Sequence, residues 1–333
     1  MANFKRNQDT LMDIKDIPSI RKVKRAIRNL DRIDFPKFEE GTSVDSYVDS
    51  ITKILTDEFG LILNPKQTIN NDKFLKNFYR VRPLAEFKNI DLIREHSYPP
   101  VDVIRMGRCN FPKYPVFYCS TNPGTALLEV AKNNSNVKYC ISIWKLIESD
   151  QNIIFESFLQ TPLPKNNFFN QLKQNVVNNI NLPFQKSFNK NLKKPQVDGL
   201  LEYLRYLDSS FVNDIDYSIS ATLAHRTLFA KHDFKTDVLM YPSVQSLKSG
   251  VNLAIRPNFV DNNLRLNHLY ILSLNSYDLS KGTMNVTLYN YGELINNDIV
   301  WNNINPGDKK YLDYLTHDFG EGFLSEFKVN NLP

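Results

Sequence analysis

The chain has 333 residues, 42% of them hydrophobic and 23% charged, with a formal net charge of +5. That is ordinary globular composition, long enough for one large domain with additions or for two domains. The mild positive excess favours anionic ligands without specifying nucleic acid, and three cysteines (Cys109, Cys119, Cys140) with no CxxC pair exclude a disulfide framework and point to a reducing compartment.

The first residues, MANFKRNQDTLMDIKDI, have no apolar leader core, and no run approaches the roughly 18 apolar residues of a membrane span. A soluble, cytoplasmic protein is expected. Residues 1–72 read as an N-terminal helical region. Between Ile20 and Ile33, Val23, Ile27 and Leu30 share a face, with Arg21, Lys24, Arg25 and Arg28 around it. This basic face is read as solvated, with a phosphate or an acidic partner as the alternative. Thr42-Ser43 can cap a second helix that carries Val44, Tyr47, Val48, Ile51, Ile54 and Leu55. Asn64-Pro65 and Asn70-Asn71-Asp72 mark its boundary.

Phe74 to Val81 reads as a strand ended by Pro83, with Arg80 beside Tyr79. Arg80 and Arg82 are expected to divide between a site and solvent. Glu86 to Asp102, polar and proline-bearing, reads as a loop. Met106 to Val130 then offers a turn with Gly107-Arg108, an apolar strand from Pro115 to Ser120, the turn Thr121-Asn122-Pro123-Gly124, and a helix from about Thr125. Arg108, Tyr118 and Glu129 thus place a cation, a phenol and a carboxylate at consecutive junctions. The set suits an anionic substrate with an aromatic base and a sugar.

Val137 to Leu146 is a second clear strand. Residues 150–212 read as a mostly helical insertion or lid. A helix follows over Asp216 to Lys231, capped by Asp214 or Asp216. Asp237 to Tyr241 is a short strand running into Pro242-Ser243, Ser249 to Ile255 a turn and strand, and His268 to Leu274 a further strand. Residues 276–333 read as a β-rich extension, with Met284 to Tyr289 and Glu293 to Trp301 alternating. Many short strands with few helices between them argue an α+β fold around a mostly antiparallel or mixed sheet, not a doubly wound one. Neither GxGxxG nor GxxxxGK[ST] occurs. His225 and His232 lack the spacing and the acidic partner of a zinc site, so no metal is expected.

Taken in order, Tyr79-Arg80, Gly107-Arg108-Cys109-Asn110, Val116-Phe117-Tyr118-Cys119, Thr125-Ala126-Leu127-Leu128-Glu129, Tyr241-Pro242-Ser243 and Gly250-Val251-Asn252-Leu253-Ala254 resemble the motifs of the RES domain, named for its Arg, Glu and Ser. The likeness spans about residues 73–275. It departs at Cys109, where the family pattern has a tryptophan or phenylalanine. RES proteins are bacterial toxins of toxin–antitoxin pairs that degrade NAD+ as glycohydrolases or phosphorylases. The resemblance therefore implies an ADP-ribosyltransferase-like split mixed sheet with surrounding helices, NAD+ as substrate with no further cofactor, and a cognate antitoxin as partner. Self-association is a second expected partnership; membrane and nucleic acid are not expected. By the same resemblance Arg80 and Arg108 bind NAD+, Tyr118 packs by the nicotinamide with Tyr79 nearby, Glu129 is the catalytic carboxylate, and Ser243 is the serine of the name.

The chemistry suits these residue types. Two guanidiniums can clamp a pyrophosphate through bidentate, charge-assisted bonds. Nicotinamide is cationic in NAD+ and leaves neutral, so no general acid is needed. The barrier is an oxocarbenium-like ribose, which one nearby carboxylate stabilises. Ser243 follows a proline and can bind the nicotinamide amide, a ribose or an incoming phosphate; no His-Asp pattern activates it as a nucleophile. Asn252 either serves its turn or reaches the site. Two further readings stand beside NAD+ cleavage to water or phosphate. One is ADP-ribosyl transfer to a macromolecule, and the other is a non-catalytic module whose basic N-terminal helix contacts nucleic acid or a partner.

Overall fold

The computed structural model describes residues 17–60, 62, 66–131, 137–159, 163–165, 167, 170, 193–230, 235–281, 283–304 and 308–319. Residues 1–16 of the N-terminal region, 171–192 of the expected insertion, His232, and 320–333 of the extension lie outside them. The strands are Lys66–Asn70 (β1), Asn77–Pro83 (β2), Phe117–Ser120 (β3), Lys138–Leu146 (β4), Asn152–Ser157 (β5), Val238–Pro242 (β6), Val251–Ile255 (β7), Leu264–Asp278 (β8), Thr283–Ile295 (β9) and Asp298–Asn303 (β10). The helices are Ile20–Leu30 (α1), Val44–Phe59 (α2), Pro123–Val130 (α3), Lys194–Asn213 (α4), Ser218–Leu228 (α5), Pro257–Asn263 (α6) and Lys309–Phe319 (α7).

All ten strands join one sheet in the order β1-β5-β6-β7-β3-β2-β4-β8-β9-β10. Neighbours are antiparallel except β5 and β6, which are parallel. The α+β class and the mixed sheet follow from the sequence as expected. Central strands such as KYCISIWKL (β4) are apolar almost throughout because both of their faces are covered.

One face of the sheet is continuous. Phe78, Phe117, Cys119, Cys140, Trp144 and Leu253 lie on it, and Phe87, Ile90, Ile93 and Tyr98 from the segment before β3 cover it. That segment, expected as a plain loop, is a run of single 3₁₀ turns at Leu84–Glu86, Ile93–His96 and Val101–Val103. The opposite face is divided. Over β6, β7 and β3 sit α1, α2, α4 and α5, packed on Tyr118, Leu239, Tyr241 and Ala254. Over β2, β4 and β8 sit α3 and α7, packed on Tyr79, Val81, Ile141 and Tyr270. At the division β2 and β3 share a single residue pair, Tyr79 with Ser120, whereas β2 pairs with β4 along its whole length.

α1 is held by its apolar side: Val23, Ala26 and Leu30 are buried against the first of these cores. Burying a side chain of the size of Val23 or Leu30 contributes about 1.5–3 kcal/mol as an upper estimate. Arg21, Lys22, Lys24, Arg25 and Arg28 are exposed on its outer side. α2 begins as expected at Ser43, whose hydroxyl accepts from the Ser46 N–H.

Several expectations are corrected. β1 falls inside the N-terminal region read as helical and pairs with β5, so this region supplies a strand to the sheet. β5 itself falls inside the segment read as a helical insertion; Ile153, Ile154 and Phe155 favour a strand, which β1 and β6 then flank. β8 runs through the boundary expected at 275/276, because β9 pairs with it beyond that point. The extension is not only β: after the β9–β10 hairpin, turned through Asn296 and Asn297 at positive φ, it carries α7. Arg80 and Arg82 do not divide between site and solvent. Residues two apart on a strand share a face, and both point to the continuous side, where Arg80 lies over Phe117 and Arg82 over Phe87. Among the described residues no helix is long and apolar enough to cross a membrane.

Candidate active site

The cleft at the divided face has a volume of about 420 Å³, within the range of small-molecule sites. Its lining includes Arg80, Arg108, Tyr118, Glu129, Tyr241 and Asn252. It is not the roomiest depression. One of about 540 Å³ lies between Asn71 and Arg256 and another of about 610 Å³ beside Lys76 and Arg265. The cleft is singled out by chemistry: six of the seven expected site residues line it, and the seventh, Ser243, is bonded to one of them.

Glu129 sits in the last turn of α3. The helix starts at Asn122, whose Oδ1 accepts the Thr125 N–H at 2.7 Å, and continues through Pro123. Thr125 packs on Gly250, where an added Cβ would fall 1.9 Å from Thr125 Oγ1. Only glycine there lets α3 lie this close to the segment carrying Ser243. A carboxylate at a helix C-terminus opposes the macrodipole, so Glu129 is not placed there to stabilise the helix. Its Oε1 accepts from Ser243 Oγ at 2.5 Å and from Asn252 Nδ2 at 2.7 Å. Among the described residues nothing bonds Oε2, and the side chain as a whole is exposed.

Ser243 is fully buried. Its N–H donates to the Gly250 carbonyl at 3.0 Å and its carbonyl accepts from the Lys248 N–H at 2.8 Å. Its Oγ accepts from the Ser246 N–H at 3.2 Å, which turns the hydroxyl proton toward Glu129. The enclosed segment is strained, with Leu247 at φ 51° and Lys248 at φ 64°. The rigidity expected from Pro242 is therefore supplied by a hydrogen-bonded loop as well. Asn252, left open between turn and site, reaches the site. Its Nδ2 meets Glu129, and its Oδ1 accepts from Ser120 Oγ at 2.6 Å.

Tyr118 lines the cleft, but its hydroxyl serves the turn before β3. It accepts the Cys109 N–H and donates to Asn110 Oδ1, each at 2.8 Å. Gly107 and Asn110 close that turn by mutual backbone bonds. A Cβ on Gly107 would lie 2.8 Å from Asn110 Oδ1, so the residue before Arg108 must be small. Arg108 projects from the turn, donates to the Phe211 carbonyl at the end of α4, and lies 5.4 Å from the Tyr217 ring centre.

Arg80 stands in the gap between β2 and β3. Its Nη1 donates to the Tyr118 carbonyl at 2.9 Å, and its buried Nε has no partner among the described residues. Burial, with the Arg82 charge adding to it, lowers its pKa to about 10, which still leaves a cation at neutral pH. Tyr79 borders the cleft, yet its hydroxyl turns away and donates to Asp318 Oδ1 at 3.4 Å.

The thiols nearby are no nucleophiles. Burial pushes Cys109 up to about 12 and Cys119 well above its ordinary value, so both stay protonated. Among the described residues no group of three or more His, Cys, Asp or Glu side chains is placed to hold a metal ion. His225 lies among Phe111, Tyr114 and Phe229.

Two residues of the cleft carry no strong signal in the sequence. Ser120 ends an apolar strand, and Tyr217 is recognisable only in space, where it holds φ 61° and faces Arg108. No known protein family, curated protein or solved structure matches this chain.

Proposed function

We propose that this chain cleaves the bond between nicotinamide and ribose in NAD+, with water or phosphate as acceptor. The observation that carries the reading is Glu129. Its carboxylate is held through one oxygen by Ser243 and Asn252, is open at the other, and shares a cleft with Arg108. In this reaction the C1′–N bond breaks and its electron pair neutralises the pyridinium. Nicotinamide leaves without a proton, and positive charge develops on the ribose. An anion fixed beforehand beside that carbon stabilises the charge without reorganising. Arg108 is already oriented by the Phe211 carbonyl and meets the pyrophosphate; Tyr118 offers its ring face to the nicotinamide. Water then closes C1′ as ADP-ribose and releases a proton, or phosphate closes it as ADP-ribose 1″-phosphate.

On this reading the chain is an NAD+-depleting toxin of the RES kind with an ADP-ribosyltransferase-like cleft, and its antitoxin covers the cleft mouth. Apolar side chains exposed beside it support such a cover: Val244 and Leu247 follow Ser243, and Ile215, at 89% exposure, lies two residues from Tyr217.

The test is incubation of the wild type and Glu129→Gln with NAD+. Nicotinamide release is expected from the wild type and about 10³-fold less from the variant, which keeps the side chain's shape and loses its charge. ADP-ribose marks hydrolysis, ADP-ribose 1″-phosphate phosphorolysis, and label on protein or nucleic acid transfer. No NAD+ loss from the wild type sinks the proposal.

A further inference from the structure

We propose that Ser120 is a positioning residue for this cleavage: its hydroxyl fixes the Asn252 amide so that Nδ2 faces Glu129. The inference rests on the NAD+-cleaving reading for its kinetic consequence, but its geometry stands apart from any substrate.

Glu129 as a carboxylate only accepts, so the amide beside it must present its NH₂. Oδ1 then points the other way, into a place where Asn252 is 4% exposed and water has little access. An amide oxygen left there without a donor is costly. Ser120, 2% exposed, supplies the donor at 2.6 Å. The sheet register makes the meeting obligatory: Ser120 on β3 and Asn252 on β7 are directly paired.

The orientation has a definite chemical effect. With Ser120 donating, Asn252 and Ser243 both donate to Glu129 Oε1, and Oε2 is left for the substrate. Without it, only the Glu129 carboxylate opposes rotation of the amide, and the buried Oδ1 is left without a donor. Turned over, it would set an oxygen against the carboxylate, removing a donor and adding repulsion. Ser120 is also the residue through which β3 meets Tyr79 of β2. The part of the sheet that bounds the cleft therefore carries the residue that orients its carboxylate.

Two variants separate the donor from its volume. Ser120→Ala removes the hydroxyl, while Ser120→Cys keeps a side chain of similar size with only a weak donor. Both are expected to lower kcat for NAD+ about tenfold while leaving KM within about twofold, since the substrate clamp is untouched. The substrate-free readout is the side-chain amide of Asn252 in asparagine-labelled protein, assigned by its loss in Asn252→Ala. Its hydrogen exchange should speed up about tenfold in both variants as the Oδ1 anchor goes. Wild-type turnover in Ser120→Cys would make the role one of packing and overturn the proposal, as would a loss carried by KM. Unchanged amide exchange overturns it whatever the enzyme does. Faster exchange in the variants together with a wild type that consumes no NAD+ keeps the fixed amide, refutes its kinetic role, and refutes the NAD+ reading separately.

Discussion

Two carboxylates on short helices flank β2, and their surroundings differ in bonding and in burial. Glu129 on α3 has both of its donors, Ser243 and Asn252, on a single oxygen and is exposed. Asp318 on α7 has both oxygens engaged: Oδ1 by Tyr79 and His317, Oδ2 by His268 and Tyr270, with a side chain only 1% exposed. A fully engaged, buried carboxylate fixes one element to another. A half-engaged one beside a cavity is ready to meet something else. On the proposed reading the difference gives α7 an architectural part and α3 a chemical one, although both helices pack in the same core.

Glu129→Gln should show the largest effect, the loss of turnover already described with the thermal midpoint unchanged. If it lost stability instead, the contrast would collapse. Asp318→Asn is the converse. Removing the charge from its buried pair with His268 should cost about 3–5 kcal/mol in urea unfolding, while kcat, measured where the variant remains folded, stays at the wild-type level. The Asp318 carboxyl is also pH-sensitive. Burial alone would raise its pKa, but the bonds and charge from His268, with His317 and Tyr270, outweigh burial and hold it below the usual value. The folded pKa is thus lower than the unfolded one. This stabilisation is complete above the ordinary carboxylate range and is lost as pH falls through the folded value. Asp318→Asn should remove that acid-side loss.

Glu156 on β5 sharpens the contrast as a third case, buried but incompletely bonded. Oε2 accepts from Thr227 at 2.6 Å, and among the described residues Oε1 has no partner. Burial raises its pKa to about 7. Here the folded pKa is the higher, so stability is greatest below the unfolded value and falls as pH rises to about 7. Glu156→Gln should therefore gain about 2 kcal/mol at pH 8 and nothing at pH 4, read by urea unfolding at the two pH values. The smallest effect belongs to Tyr79→Phe, about 1 kcal/mol of stability with turnover intact. A loss of turnover there would return Tyr79 to the substrate.

Most of the strands were legible in the sequence because β-branched and aromatic runs between turn residues have few other uses. β1 was not: Lys66-Gln-Thr-Ile-Asn is polar, and only pairing with β5 makes it a strand. Glu129, Arg108 and Ser243 were legible as points along the chain, since each follows a recognisable turn or cap. Their connections were not. Nothing local tells that Asn252 and Ser243 converge on one carboxylate oxygen, because Glu129 and Ser243 are 114 positions apart and meet only in the folded chain. Ser120 and Tyr217 show the limit most plainly. A serine at a strand end and a tyrosine before a helix are ordinary until their partners are in place.

The single pair joining β2 to β3 gives the sheet a seam. On either side the strands are laced by full ladders; across it the backbone contributes Tyr79 and Ser120, and Arg80 adds a side-chain stitch to the Tyr118 carbonyl. α3, which packs on β2, adds a second tie through Glu129 to Ser243 and Asn252, and any molecule that touches both Arg108 and Glu129 reinforces it. Such a guest is also a structural tie, and the two halves of the protein are mechanically more nearly one body while it is bound.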